Sequence, residues 1–170
     1  MRHRAATAWG LAIAGLALVA ATFVLIVVAQ PTRAYPAWFV LGSIAVVELL
    51  LGGLIWSRRP EERLGWILVI HGLLTAVTLF TGEYATVAAL GPGHLPYAQW
   101  TAWVSSVAQT FTIVGLVVLM FLFPTGRPLT PRWRLVGWGL GTGVFALMDT
   151  VVHGPMLDSN IDYIRNPLWI

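Results

Sequence analysis

Five long apolar runs, separated by short polar breaks, set the pattern of this chain. The first, about 8–29, is nearly unbroken and long enough to cross a hydrocarbon core of about 30 Å at about 1.5 Å per residue. Four more follow at about 37–56, 64–81, 100–123 and 135–152. Val27-Val28-Ala29 loosely resembles a signal-peptide cleavage site, but such a peptide has an apolar region of only about 7 to 15 residues, so the first run is expected to be a span. The pattern predicts an all-α, polytopic transmembrane bundle of five spans in a single domain.

The breaks orient it. Residues 57–63 carry Arg58, Arg59 and Arg63, and residues 124–134 carry Arg127, Arg132 and Arg134, with Pro124, Pro128, Pro131 and Gly126 stopping any helix. Short arginine-rich loops belong on the cytoplasmic side. The segment 82–99 contains neither arginine nor lysine and reads as an external loop, with Trp100 and Trp103 placed for an outer aromatic belt. With the amino terminus inside, Arg2, Arg4 and the six loop arginines face the cytoplasm, against Arg33 and Arg165 outside. The carboxyl-terminal tail 153–170 is then external, and the expected location is the cell membrane.

Composition agrees: 58% of the 170 residues are hydrophobic and 10% charged, too little polar surface to coat a soluble globule. The absence of cysteine excludes disulfides, thiolate metal sites and thiol catalysis. The net charge of +3 comes from arginines dispersed in loops beside apolar runs, as orientation signals are, so no nucleic-acid partner is read from it. The partner that the composition implies is the lipid bilayer.

Polar residues inside the runs need a partner or a purpose, since a charge at the bilayer centre costs about 2.5 to 3.5 kcal/mol. Glu48 and His71 both fall roughly 11 Å above the cytoplasmic face on consecutive antiparallel helices, counting about 1.5 Å per residue. As a pair they could be a protonation switch or an interhelical hydrogen bond that fixes the bundle. Ser105, Ser106, Gln109 and Thr112 form one stripe on the fourth run, suited to a hydrated cavity or to helix packing. Gly137, Gly139, Gly141 and Gly143 hold two overlapping G-x-x-x-G spacings, a groove for the fourth span, for a second copy or for another membrane partner. Asp149 and His153 share a helix face, and Glu83 and His94 lie near the same height; as an external polar cluster they match no established metal-ligand spacing, so no metal is assigned. No nucleophile with its base, no phosphate-binding loop and no dinucleotide fingerprint occurs, and neither catalysis nor a cofactor is expected.

The loops resemble a known pattern. Leu122-Phe123-Pro124-Thr125-Gly126-Arg127-Pro128-Leu129-Thr130-Pro131-Arg132-Trp133-Arg134 resembles the Leu-Phe-Pro-(Asp/Thr)-Gly-Arg-Leu-Pro-Ser-Pro-Arg-Trp-Arg signature in the membrane domains of actinobacterial sensor histidine kinases. Arg58-Arg59-Pro60-Glu61, followed by Gly65-Trp66, and Asn166-Pro167-Leu168 are similar to further elements of those domains, in the same order. Glu62-Arg63-Leu64 stands where the family has Asn-Pro-Ile, Pro128-Leu129 reverses Leu-Pro, and Trp169 replaces Gly. The resemblance implies the signal-input module of a two-component system. In the family a further span returns the chain to the cytoplasm, where phosphoacceptor and ATP-binding domains follow. Residues 1–170 include neither, so kinase activity is not carried over, and the input role is the first expectation. A small proton- or solute-conducting transporter, or an accessory subunit of a membrane complex, are the alternatives.

Overall fold

The computed structural model describes residues 2–29, 38–91, 95–122, 137, 139, 141–144, 147 and 164–168. Four helices make up most of it: α1 (Arg2–Ala29), α2 (Trp38–Arg58), α3 (Arg63–Leu90) and α4 (Ala98–Leu122). All four are long and apolar enough to cross a membrane, which marks the chain as an all-helical membrane protein. Residues 137, 139, 141–144 and 147 are also helical. The rest of the expected fifth span, the cytoplasmic loop with Pro124, Gly126, Arg127, Pro131, Arg132, Trp133 and Arg134, and most of the tail lie outside the described residues.

Helix α3 is the hub, packing against α1, α2 and α4, while α1 also packs on α2. The size of residues is distributed inside out. Buried apolar positions are mostly alanine, among them Ala8, Ala12, Ala45, Ala76, Ala85 and Ala102, whereas Val28, Phe39, Val40 and Met120 are more than half exposed. In lipid, apolar side chains gain nothing by hiding from their solvent, so helices associate through close backbone approach at small residues, and the bulky ones face the acyl chains. On α3 the buried positions Gly65, Val69, Gly72, Ala76, Leu79, Glu83 and Thr86 recur at alternating spacings of four and three, tracing one seam along the helix.

The boundaries have local causes. Helix α2 ends before Pro60, which lacks the N–H to continue it; Arg59 N still donates to Ile55 O and Glu62 N then turns back to Arg59 O. Gly91 N closes the end of α3 on Val87 O at 2.8 Å. Thr101 N donates to Tyr97 O as α4 begins, with Tyr97 in the left-handed region at φ 66°.

One expectation is corrected here. The third span does not stop at Thr81, nor is 82–99 wholly a loop: α3 runs through Gly82 and Glu83 to Leu90. A single interior glycine costs a helix only about 1 kcal/mol. Its bare side is used for packing, since a Cβ on Gly82 would meet Ser105 Oγ at 3.0 Å. With 28 residues α3 is about 42 Å long, more than a core of roughly 30 Å requires.

Candidate functional site

The residue pair singled out by its depth stands at the centre of the bundle. His71 is 4% exposed and Glu48 9%, and His71 Nδ1 lies 2.7 Å from Glu48 Oε2. The other ring nitrogen, Nε2, lies 2.9 Å from the backbone carbonyl of Thr112. One imidazole therefore ties α2, α3 and α4 together at a single buried point.

The bare sides of two glycines make this geometry possible. A Cβ on Gly72 would fall 3.2 Å from Glu48 Cβ and 3.0 Å from Leu49 Cγ, so α2 and α3 touch beside the pair. A Cβ on Gly115 would fall 2.6 Å from His71 Cδ2, so the ring lies flush on α4 where any side chain would push it away. The same device recurs nearer the helix ends, where a Cβ on Gly52 would meet Gly65 O at 2.8 Å and one on Gly65 would meet Trp56 N at 2.6 Å.

The acceptors fix the protons. A carbonyl oxygen only accepts, so Nε2 of His71 donates to Thr112 O. Nδ1 and Oε2 then hold one proton between them, either on the ring beside a carboxylate or on the carboxyl beside a neutral ring. Both arrangements are neutral over the pair, which suits a low-dielectric site. Without the shared proton a ring lone pair would face a carboxylate at 2.7 Å.

This leads to a graded expectation for Glu48. Glu48→Gln can still donate an amide N–H to a neutral Nδ1, so its melting temperature in detergent should stay close to that of the parent protein. Glu48→Leu leaves a buried ring nitrogen unsatisfied and should cost about 1 to 3 kcal/mol in the same measurement. Equal losses in the two variants would contradict the proton assignment.

The stripe on α4 is engaged in packing at its described contacts. The Ser105 hydroxyl donates to Thr78 O at 3.0 Å, and Thr112 Oγ1 donates to Ala108 O and stands 3.5 Å from Thr78 Oγ1. Gln109 lies on the same side, partly buried.

The external polar cluster is changed by the length of α3. Glu83 is not in a loop but within the helix, 5% exposed, about 30 Å from Arg63 at about 1.5 Å per residue. His94, Asp149 and His153 lie outside the described residues. Among the described residues no three His, Asp or Glu side chains come together to hold a metal. Near that end the chain folds back: Ile164 is buried against Ala85 and Ala102, with Trp103 and Ala89 beside it. Asn166, 2% exposed, accepts from Leu168 N.

Among the described residues, a Cβ on Gly137, Gly139, Gly141 or Gly143 would meet no atom within 4 Å. Gly139 and Gly143 instead border a cleft of about 490 Å³ whose other wall is Ile113, Val114 and Val117 of α4. A second cleft, about 450 Å³, lies between α3 and α4 and reaches from Arg63 and Trp66 to His71 and Gly115.

Sequence reasoning passed over Thr112 O and the packing glycines Gly52, Gly65, Gly72 and Gly115. The seven-residue interval between Gly65 and Gly72 was the available signal; a backbone carbonyl leaves none. Comparison with protein-family models, with curated proteins and with solved structures finds no match to this chain.

Proposed function

We propose that this chain is the membrane-embedded signal-input module of a two-component sensor, of the kind found in the actinobacterial histidine kinases that its loops resemble. In this reading it crosses the cell membrane five times, with the amino terminus inside and the carboxyl terminus outside, and carries no catalytic step. The balance of eight inner arginines against Arg33 and Arg165 supports the orientation.

The observation that carries the proposal is the junction of Glu48, His71 and Thr112 O. An input module needs an element with two arrangements that a stimulus can bias. A single ring that bonds its own helix to two others is such an element: transferring or removing its shared proton, or displacing the ring from Thr112, changes the contacts of α2, α3 and α4 at once. Interhelical hydrogen bonds of this type contribute about 0.6 to 2 kcal/mol, small enough for a stimulus to overcome.

The same buried proton also favours a second reading, a proton-conducting transporter. Two measurements separate them. The intact mass of the native gene product from its own membranes should lie well above 18.5 kDa, with phosphoacceptor and ATP-binding sequence in the excess. Proteoliposomes should show no proton flux. A native mass of 18.5 kDa together with flux that Glu48→Gln abolishes would replace the sensor by the transporter.

A further inference from the structure

The cleft between α3 and α4 is mostly apolar, with Arg63 at one end, His71 and Gly115 midway along it, and Leu74 and Phe111 at the other end. Arg63 is exposed and enters no ion pair among the described residues. It is also the first residue of α3, whose N-cap Glu62 makes no side-chain capping bond. The positive end of the helix dipole therefore lies beside the guanidinium. Glu61 and Glu62 are exposed, and neither lines the cleft.

Within the cleft Trp66, Ile70 and Phe111 are each about 40% exposed, bordered by Leu74 and Val118. From Arg63 to Leu74 the wall is about 16 Å long at about 1.5 Å per residue. That is close to half of a hydrocarbon core of about 30 Å, the depth reached by one acyl chain in one leaflet. A volume of about 450 Å³ falls within the range of roughly 300 to 1,000 Å³ usual for small-ligand sites.

We propose that this cleft holds an acyl chain of an anionic phospholipid of the inner leaflet. Its phosphate rests on Arg63 and the start of α3, and its chain runs past Trp66, Ile70 and the edge of the His71 ring toward Leu74 and Phe111. The assignment to the inner leaflet rests on the orientation proposed above. Because the chain passes beside His71 and Gly115, its presence supports the ring against Thr112, and its loss frees the ring to move. The junction thereby reads the charge and packing of the surrounding lipid, which gives the input module a class of stimulus.

The test uses the full chain in nanodiscs containing phosphatidylglycerol or phosphatidylcholine with a photoreactive diazirine in the acyl tail, with labelled peptides mapped by mass spectrometry. Phosphatidylglycerol should label 66–74 and 111–118 about fivefold more than phosphatidylcholine, the preference that one arginine near the surface confers. Arg63→Gln should remove that preference, and Arg58→Gln, at the facing end of α2 but outside the cleft, should keep it. Ile70→Trp should fill the cleft and lower labelling by both lipids; should that variant not fold, Val118→Trp from the opposite wall gives the same reading.

Equal labelling by the two lipids, or equal loss in Arg63→Gln and Arg58→Gln, would overturn the proposal in favour of diffuse surface attraction. Labelling as strong at Phe39, Val40 and Val47 of α2 as in the cleft would reduce it to ordinary annular lipid. No labelling of the cleft at all would mean that a helix or a second copy covers it. Any of these results, combined with a native mass well above 18.5 kDa, would remove the lipid site and leave the sensor reading in place.

Discussion

Gly65→Leu should be the most damaging single substitution in the described bundle, lowering stability by about 3 kcal/mol or more, at or beyond the upper end of ordinary overpacking costs. A Cβ at this position would stand 2.6 Å from Trp56 N and 3.0 Å from Trp56 Cα, both backbone atoms of α2. No rotamer change relieves a clash with backbone, so the helices themselves must separate. That separation would also loosen the reciprocal contact at Gly52, where a Cβ would stand 2.8 Å from each of Gly65 O, Leu68 Cβ and Val69 N. Thermal unfolding in detergent measures the loss, with Gly10→Ala as the control. A Cβ on Gly10 meets nothing within 4 Å, so that change should stabilise by about 0.5 to 1 kcal/mol through helix propensity alone. A Gly65→Leu protein melting with the parent would show that α2 and α3 do not meet at this crossing.

The second large effect is expected at Gly115, and its origin can be isolated. Alanine there places a methyl group 2.6 Å from the His71 ring, which must swing off Thr112 O and leave a buried N–H without its acceptor. The cost should be about 1 to 3 kcal/mol for the lost bond. In a His71→Ala background the ring is absent, so adding Gly115→Ala should be neutral or slightly stabilising. The double-mutant cycle should therefore give a coupling of at least about 1 kcal/mol, within the range seen for residues in contact. Additive losses would place the damage elsewhere on α4.

Much of the bundle was legible because a bilayer imposes a simple rule on sequence: a long apolar run is a helix. The helices α2 and α4 begin and end within about two residues of their apolar runs, whereas α1 begins at Arg2, ahead of a run read from about residue 8. The end of α3 was misread for a physical reason. Gly82 and Glu83 look like loop residues when helices are taken to end where polarity begins, yet the helix continues because Gly82 lies against Ser105 and Glu83 is enclosed by the bundle.

At the candidate site, the pairing of Glu48 with His71 follows from depth alone, since two costly groups at one height on adjacent helices have reason to meet. The third member was hidden because Thr112 contributes its carbonyl, which every residue possesses. Gly115, which brings that carbonyl within reach, is an ordinary small residue in an apolar run. The G-x-x-x-G spacings of Gly137 to Gly143 stand out in the sequence instead, although among the described residues the close backbone approaches between helices are made at Gly52, Gly65 and Gly72 without that spacing.

The inside-out distribution of residue size has a consequence for how this protein tolerates mutation. In a water-soluble domain the sensitive positions are found by asking whether a substitution is polar. Here Ala45, Ala76, Ala85 and Ala102 are fully buried while Phe39 and Met120 face outward, and both sets are apolar. Exchanging leucine for phenylalanine on the outer surface should pass unnoticed, whereas exchanging alanine for valine at the seams should not. Across a complete set of variants, side-chain volume rather than hydropathy would separate the permitted from the forbidden, and the forbidden ones would map the lines along which the helices touch.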